Sequence, residues 1–294
     1  MMFTVSCCST VDLTPERLRE RDIRYLPFPY MLNGREYTDD MWQSRSAASF
    51  YADMAAGATS QTALISPEGY RAYFEPMLAA GEDVLHIALS GGMSGTCRTA
   101  ELAAEELRER YPDRRLYVVD SLGASSGTGM LTEAVADLRD AGRTIDEALA
   151  WVEENKRKLH YWFLSTDLTY YVRGGRLTRA AGWIGTVLNI CPVMWVDGTG
   201  RIVPRQKARG KEHARMELVR KMEQYARGGT AYAQRCYVCH SAARVEAEML
   251  AQQIRARFPQ IAGEIELYDI GPTIGCHSGA GTLAVFFWSD TART

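Results

Sequence analysis

The chain has no excess of positive charge, no long apolar run and no even set of cysteines. Lys and Arg total 34 against 36 Asp and Glu, a net charge of −2, so no general attraction draws it to nucleic acid or to an anionic lipid surface. Its longest apolar stretch, Trp183 to Val196, is broken by Asn189 and Pro192 and falls short of the roughly 18 residues a membrane span needs. Met1-Met2-Phe3-Thr4-Val5 has no basic residue and turns polar at Thr4, unlike a secretion signal. The seven cysteines, odd in number and scattered, point to reduced thiols rather than a disulfide framework. Internal repeats and low-complexity segments are also missing. These absences predict a soluble, cytoplasmic protein with no nucleic-acid partner and no stable membrane insertion.

What is present is ordinary globular material: 294 residues, 46% apolar and 24% charged, long enough for two domains. Cys236-Tyr237-Val238-Cys239-His240 has the spacing of a haem-attachment motif. As a buried strand it would send the two sulfurs to opposite faces. No second Cys/His cluster completes a zinc site, so the strand reading is kept and no metal is expected.

Through residue 158 short apolar runs alternate with helical patterns. Phe3–Cys7, Val84–Leu89 and Leu116–Asp120 read as buried strands, and Ile23–Leu32 as an extended stretch interrupted by prolines. Helices are predicted over Asp40–Ala55, from Ser66-Pro67-Glu68 to Ala80, over Thr96–Glu109, Gly127–Asp140, and from the capping box at Thr144. That alternation implies a parallel sheet covered on both faces. Beyond residue 159 the pattern changes. Tyr161–Leu164, Arg235–Cys239, Ile265–Ile270 and Thr282–Trp288 read as strands, with a hairpin around Asp197-Gly198-Thr199-Gly200. Helices are predicted near Leu168–Val172 and over Ala180–Leu188, Lys211–Tyr225 and Val245–Phe258. The expected fold is therefore two α/β domains, residues 1–158 with a parallel sheet and residues 159–294 with a mixed, largely antiparallel one.

Ser90-Gly91-Gly92-Met93-Ser94-Gly95-Thr96 lies between a buried strand and a helix, where ligands gather at the carboxyl ends of a parallel sheet. Its glycines open backbone N–H groups to an anion, and Ser94 and Thr96 add hydroxyls. Lacking lysine and arginine, the loop suits a single carboxylate better than a triphosphate. Gly271 to Gly281 reads as a flexible glycine-rich loop presenting His277. Gly123-Ala124-Ser125-Ser126-Gly127 fits G-x-S-x-G and, with His277, offers the alternative of a serine-dependent lipid esterase. Asp120, Ser121 and Leu122, which intervene between the strand's apolar run and Gly123, speak against a sharp nucleophile turn. The basic stretch Lys207, Arg209, Lys211, Arg215, Arg220 and Lys221 reads as a solvated helix face.

Taken in order, these segments resemble the DegV family of bacterial fatty-acid-binding proteins almost end to end. Cys8-Ser9-Thr10-Val11-Asp12-Leu13 is similar to D-S-T-x-D-L, Thr59-Ser60-Gln61-Thr62 to T-S-Q-P, and Ser90–Thr96 to S-S-x-x-S-G-T. Asp120-Ser121, then Gly174-Gly175-Arg176-Leu177, then Leu188-Asn189-Ile190-Cys191-Pro192 and Gly275–Gly281 follow the family's later motifs. Departures are Cys8 for aspartate, Gly91 for serine, Thr62 and Ala280 for proline, and Cys191 for lysine. The resemblance implies a long-chain fatty acid (about C16–C18) between the domains, no other cofactor, and no catalysis by the chain itself. It also implies a partner kinase subunit that converts the acid to acyl phosphate for phospholipid synthesis. Thr59, Ser60, Ser94, Gly95 and Thr96, with His277 and Arg176, would hold the carboxylate. Phe28, Ile184, Leu188 and Phe286 would line the tunnel, although each of them alone reads as ordinary core.

Overall fold

The computed structural model describes residues 3–177 and 190–294. Strands β1 (Thr4–Cys8), β2 (Ile23–Leu26), β3 (Pro29–Leu32), β4 (Arg35–Thr38), β5 (Ser60–Thr62), β6 (Val84–Ala88) and β7 (Leu116–Asp120) belong to the N-terminal part. Between and after them lie α1 (Pro15–Glu20), α2 (Ala47–Ala55), α3 (Pro67–Ala79), α4 (Thr96–Arg110), α5 (Ser125–Asp140) and α6 (Ile145–Asn155). The C-terminal part contributes β8 (Leu159–Ser165), β9 (Ile190–Val196), β10 (Ile202–Arg209), β11 (Tyr237–His240), β12 (Glu266–Asp269) and β13 (Thr282–Trp288). Its helices are α7 (Thr169–Arg173), α8 (Gly210–Tyr225), α9 (Arg244–Arg257) and α10 (Pro272–Ser278).

The architecture is two-domain α/β. The first domain holds a parallel sheet in the order β2-β1-β6-β7, and the second a sheet in the order β10-β9-β8-β13-β11-β12. That second sheet is antiparallel throughout except for the β11–β12 pair, which helix α9 connects. The continuous apolar runs explain the strands: Val84–Ala88 and Thr282–Trp288 are buried at every residue, as strands covered on both faces must be. Local chemistry sets the helix ends. Ser66 Oγ accepts the Gly69 N–H at 3.2 Å to start α3, and Thr144 and Glu147 form a reciprocal capping box on α6.

Three elements depart from the sequence reading. A small antiparallel sheet, β4-β3-β5, takes up the second half of the proline-broken stretch and the polar Ser60–Thr62 segment. The helix expected from Asp40 begins only at Ala47, because Asp40 accepts the Gln43 and Ser44 N–H groups in a turn and Met41 and Trp42 take left-handed φ values of 58° and 69°. The segment expected as a glycine-rich loop folds at Pro272–Ser278 into helix α10, with proline at its first turn. The helix expected at Ala180–Leu188 lies outside the described residues. No helix among the described residues is long and apolar enough to cross a membrane.

Candidate functional site

A cavity of about 1040 Å³ opens where the two domains meet. Its floor is the inner face of the second sheet. Alternate residues of β8 (Tyr161, Phe163) and β13 (Thr282, Ala284, Phe286) face it, as the period of a strand requires. Cross-strand register sets Phe163 beside Ala284 and Ala284 beside Cys239, so small side chains sit next to a row formed by Tyr161 and Phe286. Phe28, Leu89, Val196, Ile202 and Ile270 complete the apolar wall.

One end of this cavity is polar. The loop after β6 is tied down from several directions: Ser90 Oγ donates to the Gly200 carbonyl at 2.8 Å, and the Gly91 N–H donates to Asp120 at 3.1 Å. The Thr96 N–H donates to Ser94 Oγ at 3.3 Å, so that oxygen is held while its own O–H remains available to an acceptor. In β5, Ser60 and Thr62 point the same way, towards α10. Ser60 Oγ donates to the Cys276 carbonyl at 3.2 Å, and Thr62 Oγ1 lies 2.8 Å from His277 Nε2. His277 Nδ1 is buried and has no hydrogen-bond partner among the described residues. Burial, with Arg176 adding to it, holds the imidazole down to about 4, so it is neutral at pH 7. Arg176 donates through Nε to the Met93 carbonyl at 3.0 Å and through Nη1 to the Gly174 carbonyl, which joins the Ser94 loop to the His277 ring. Burial lowers the Arg176 pKa from its ordinary value. A Cβ at Gly174 would overlap His277 Nδ1, so the backbone there must be glycine for the ring to approach.

Of the residues singled out from the sequence, Thr59, Ser60, Ser94, Gly95, Arg176, His277, Phe28 and Phe286 all line this cavity. Thr96 does not: its side chain is fully buried and pairs with Tyr70 Oη at 2.9 Å. Ile184 and Leu188 lie outside the described residues. Two lining residues gained no weight from the sequence alone. Thr62 stands where the family pattern has proline, and Arg173 is exposed at the cavity with its guanidinium 5.5 Å from the Tyr170 ring.

The esterase geometry is not formed. Ser125 has a left-handed φ of 58° and begins α5, but its Oγ donates to the Asp12 carboxylate and lies 3.3 Å from Cys239 Sγ. The imidazole that would serve as its base is on Thr62 instead. The glycines of that motif have a packing role, since the Tyr161 ring occupies the space a Cβ on Gly123 would need, and Tyr161 and Phe286 crowd Gly127. All seven cysteines are free thiols, and burial pushes Cys239 upward from its ordinary pKa. Among the described residues no cluster of His, Cys, Asp or Glu could hold a metal ion. Much of the basic stretch is engaged locally: Arg215 with Gln253 at 3.1 Å, Lys211 with Glu246 at 3.7 Å, and Arg220 with Glu217.

Comparison with known proteins sets this geometry in context. The model of the DegV family, described as uncharacterised proteins, matches residues 4–290. A DegV domain-containing protein of Clostridium perfringens is 34% identical over 289 residues, covering 98% of each chain. The structure of a fatty-acid-binding DegV family protein from Thermus thermophilus superimposes with a TM-score of 0.87 at 28% identity, covering 98% of this chain and 100% of that one. The Streptococcus pneumoniae fatty acid kinase (Fak) B3 protein, solved loaded with linoleic acid, shares the fold with a TM-score of 0.84 at 23% identity, covering 99% and 100% of the two chains.

Proposed function

The chain belongs to the DegV family, and on that premise we propose that it is a non-catalytic carrier of one long-chain fatty acid. The acid occupies the cavity between two domains, residues 1–158 and 159–294, and its carboxylate is presented to a separate kinase subunit for acyl-phosphate formation. The observation that carries this reading is the abrupt change along the cavity wall. Phe28, Phe163, Ile202 and Phe286 give way to Ser94, Thr62, His277 and Arg176, with an imidazole nitrogen that no described residue satisfies. A chain of about 16 to 18 carbons gains roughly 0.8 kcal/mol for each methylene buried. Its carboxylate must keep hydrogen bonds on leaving water, which hydroxyls, one neutral imidazole and one guanidinium supply. The fatty acids in the related structures support the ligand class, and the B3 protein of a fatty acid kinase supports the partner.

Lipid extracted from purified protein under denaturing conditions and identified by mass spectrometry tests this directly. Wild type should release a long-chain fatty acid, and Ser94→Ala several-fold less per folded molecule. Equal content in the two, or no fatty acid in either, overturns the reading. Incubated with ATP, acyl phosphate should form only when a kinase subunit is added. Labelling of Ser125 by an activated-serine probe would instead revive the esterase.

A further inference from the structure

Helix α10 has seven residues, too few to be stable alone, yet it carries His277. Two buried carboxylates of the first domain converge on its beginning. Asp39 Oδ2 accepts the Thr273 hydroxyl at 2.6 Å and the Thr273 N–H at 3.3 Å, and Asp12 Oδ1 accepts the Gly271 N–H at 2.9 Å. The other Asp12 oxygen takes the Ser125 hydroxyl, and Tyr51 Oη reaches the Ile270 carbonyl at 2.7 Å just ahead of the helix. Thr273 and His277 are four residues apart and so share one face of α10. An anchor on the first therefore sets the direction of the second.

We propose that Asp39 and Asp12 are positioning residues for the cavity's polar end: by holding the first turn of α10 they keep the His277 imidazole on Thr62. Asp39 is 0% and Asp12 3% exposed, and no salt bridge to either is formed among the described residues. Uncharged donors alone stabilise them, and burial raises both pKa values despite those donors. Two carboxylates without a cation are a poor way to gain stability and an effective way to fix one helix in one place, because each donor they require lies at a defined position. Ser125 acquires a role here as a donor that keeps Asp12 oriented.

The effect on the imidazole stands independently of the fatty-acid reading, and the consequence for affinity rests on it. The test is an NMR titration of the histidines in the full chain, for Asp39→Asn and Thr273→Val, with palmitate binding measured alongside. In both variants His277 should titrate at least about one pH unit higher than in wild type, as the ring leaves its buried contact. Removing a negative charge alone would move it lower, so a rise reports repositioning. Palmitate affinity should fall about tenfold while His86 and His160 titrate as before. Should Asp39→Asn fail to fold, Thr273→Val decides. Unchanged His277 titration in folded variants overturns the proposal. A His277 shift in a protein that never binds palmitate upholds the positioning role and overturns the fatty-acid reading.

Discussion

His86, fully buried, and His277, half-buried, differ in how they are satisfied. His86 sits in β6 with 0% exposure, its Nδ1 2.8 Å from Ser6 Oγ and its Nε2 3.5 Å from Cys8 Sγ. Tyr73 and Tyr70 extend that network on either side, and the rings of Tyr70 and Phe74 meet the imidazole edge-on. Both nitrogens are spoken for and nothing opens onto it. His277 is bonded on one side only, beside an arginine and against a cavity. Burial lowers both, His86 to about 3 and His277 to about 4. A depressed pKa therefore does not distinguish a structural imidazole from a functional one; the unfilled valence and the adjoining space do.

The strongest way to break this comparison is His86→Leu. It takes one partner each from the buried Ser6 hydroxyl and Cys8 thiol, leaving Ser6 to Tyr73 and Cys8 to Tyr70, and should cost about 2–4 kcal/mol of stability in urea unfolding. Fatty-acid content per folded molecule should be unchanged. If lipid is lost instead, the division of labour between the two histidines is wrong.

Acidification sharpens the contrast. Each imidazole has a folded pKa below the ordinary 6.5, so between 6.5 and the folded value the unfolded chain binds more protons. The stability contributed is complete above about 6.5 and is lost as pH falls, down to about 3 for His86 and about 4 for His277. The larger loss is expected for His86, whose folded value lies further below 6.5. A bound carboxylate favours the charged form of His277, so palmitate should shrink the loss on acidification in wild type and leave it unaltered in His277→Gln. Unfolding midpoints measured across this pH range, with and without palmitate, check both statements.

His277→Gln should itself weaken palmitate binding about tenfold, or ~1.4 kcal/mol, while stability changes by less than about 1 kcal/mol. A variant as unstable as His86→Leu would place His277 in the structural class.

The sequence carried the outline of this arrangement unevenly. Thr282–Trp288 is legible to the residue because a strand buried on both faces must be an apolar run, and the half-buried edge strand Leu116–Asp120 is legible from its own short apolar run. The capping box at Thr144 and Glu147 was equally plain. Strand β5 was not, since three polar residues have no periodicity, and their pairing with Met31 and Leu32 comes from a distant segment. Helix α10 was read as a loop because its glycines and short length outweigh propensity, and its anchors lie more than 200 residues away at Asp39 and Asp12. The cavity residues came from ordered motifs whose shared purpose is three-dimensional. Thr96 was the exception: its place in the motif is kept by Tyr70, on the wall's far side.

Thr96 also joins the two regions. Its hydroxyl ends the relay that runs from His86 through Cys8 and Tyr70, while its backbone N–H holds Ser94 Oγ. Thr96→Val removes the first link and keeps the second. Tyr70 Oη would retain Cys8 as a partner, so the stability loss should be small, about 0.5–1 kcal/mol. Palmitate affinity should change less than about threefold, because the Ser94 contact is made by the main chain. A larger loss of affinity with stability preserved would mean that the His86 network reaches the carboxylate site through this hydroxyl, and that the two histidines are parts of one device.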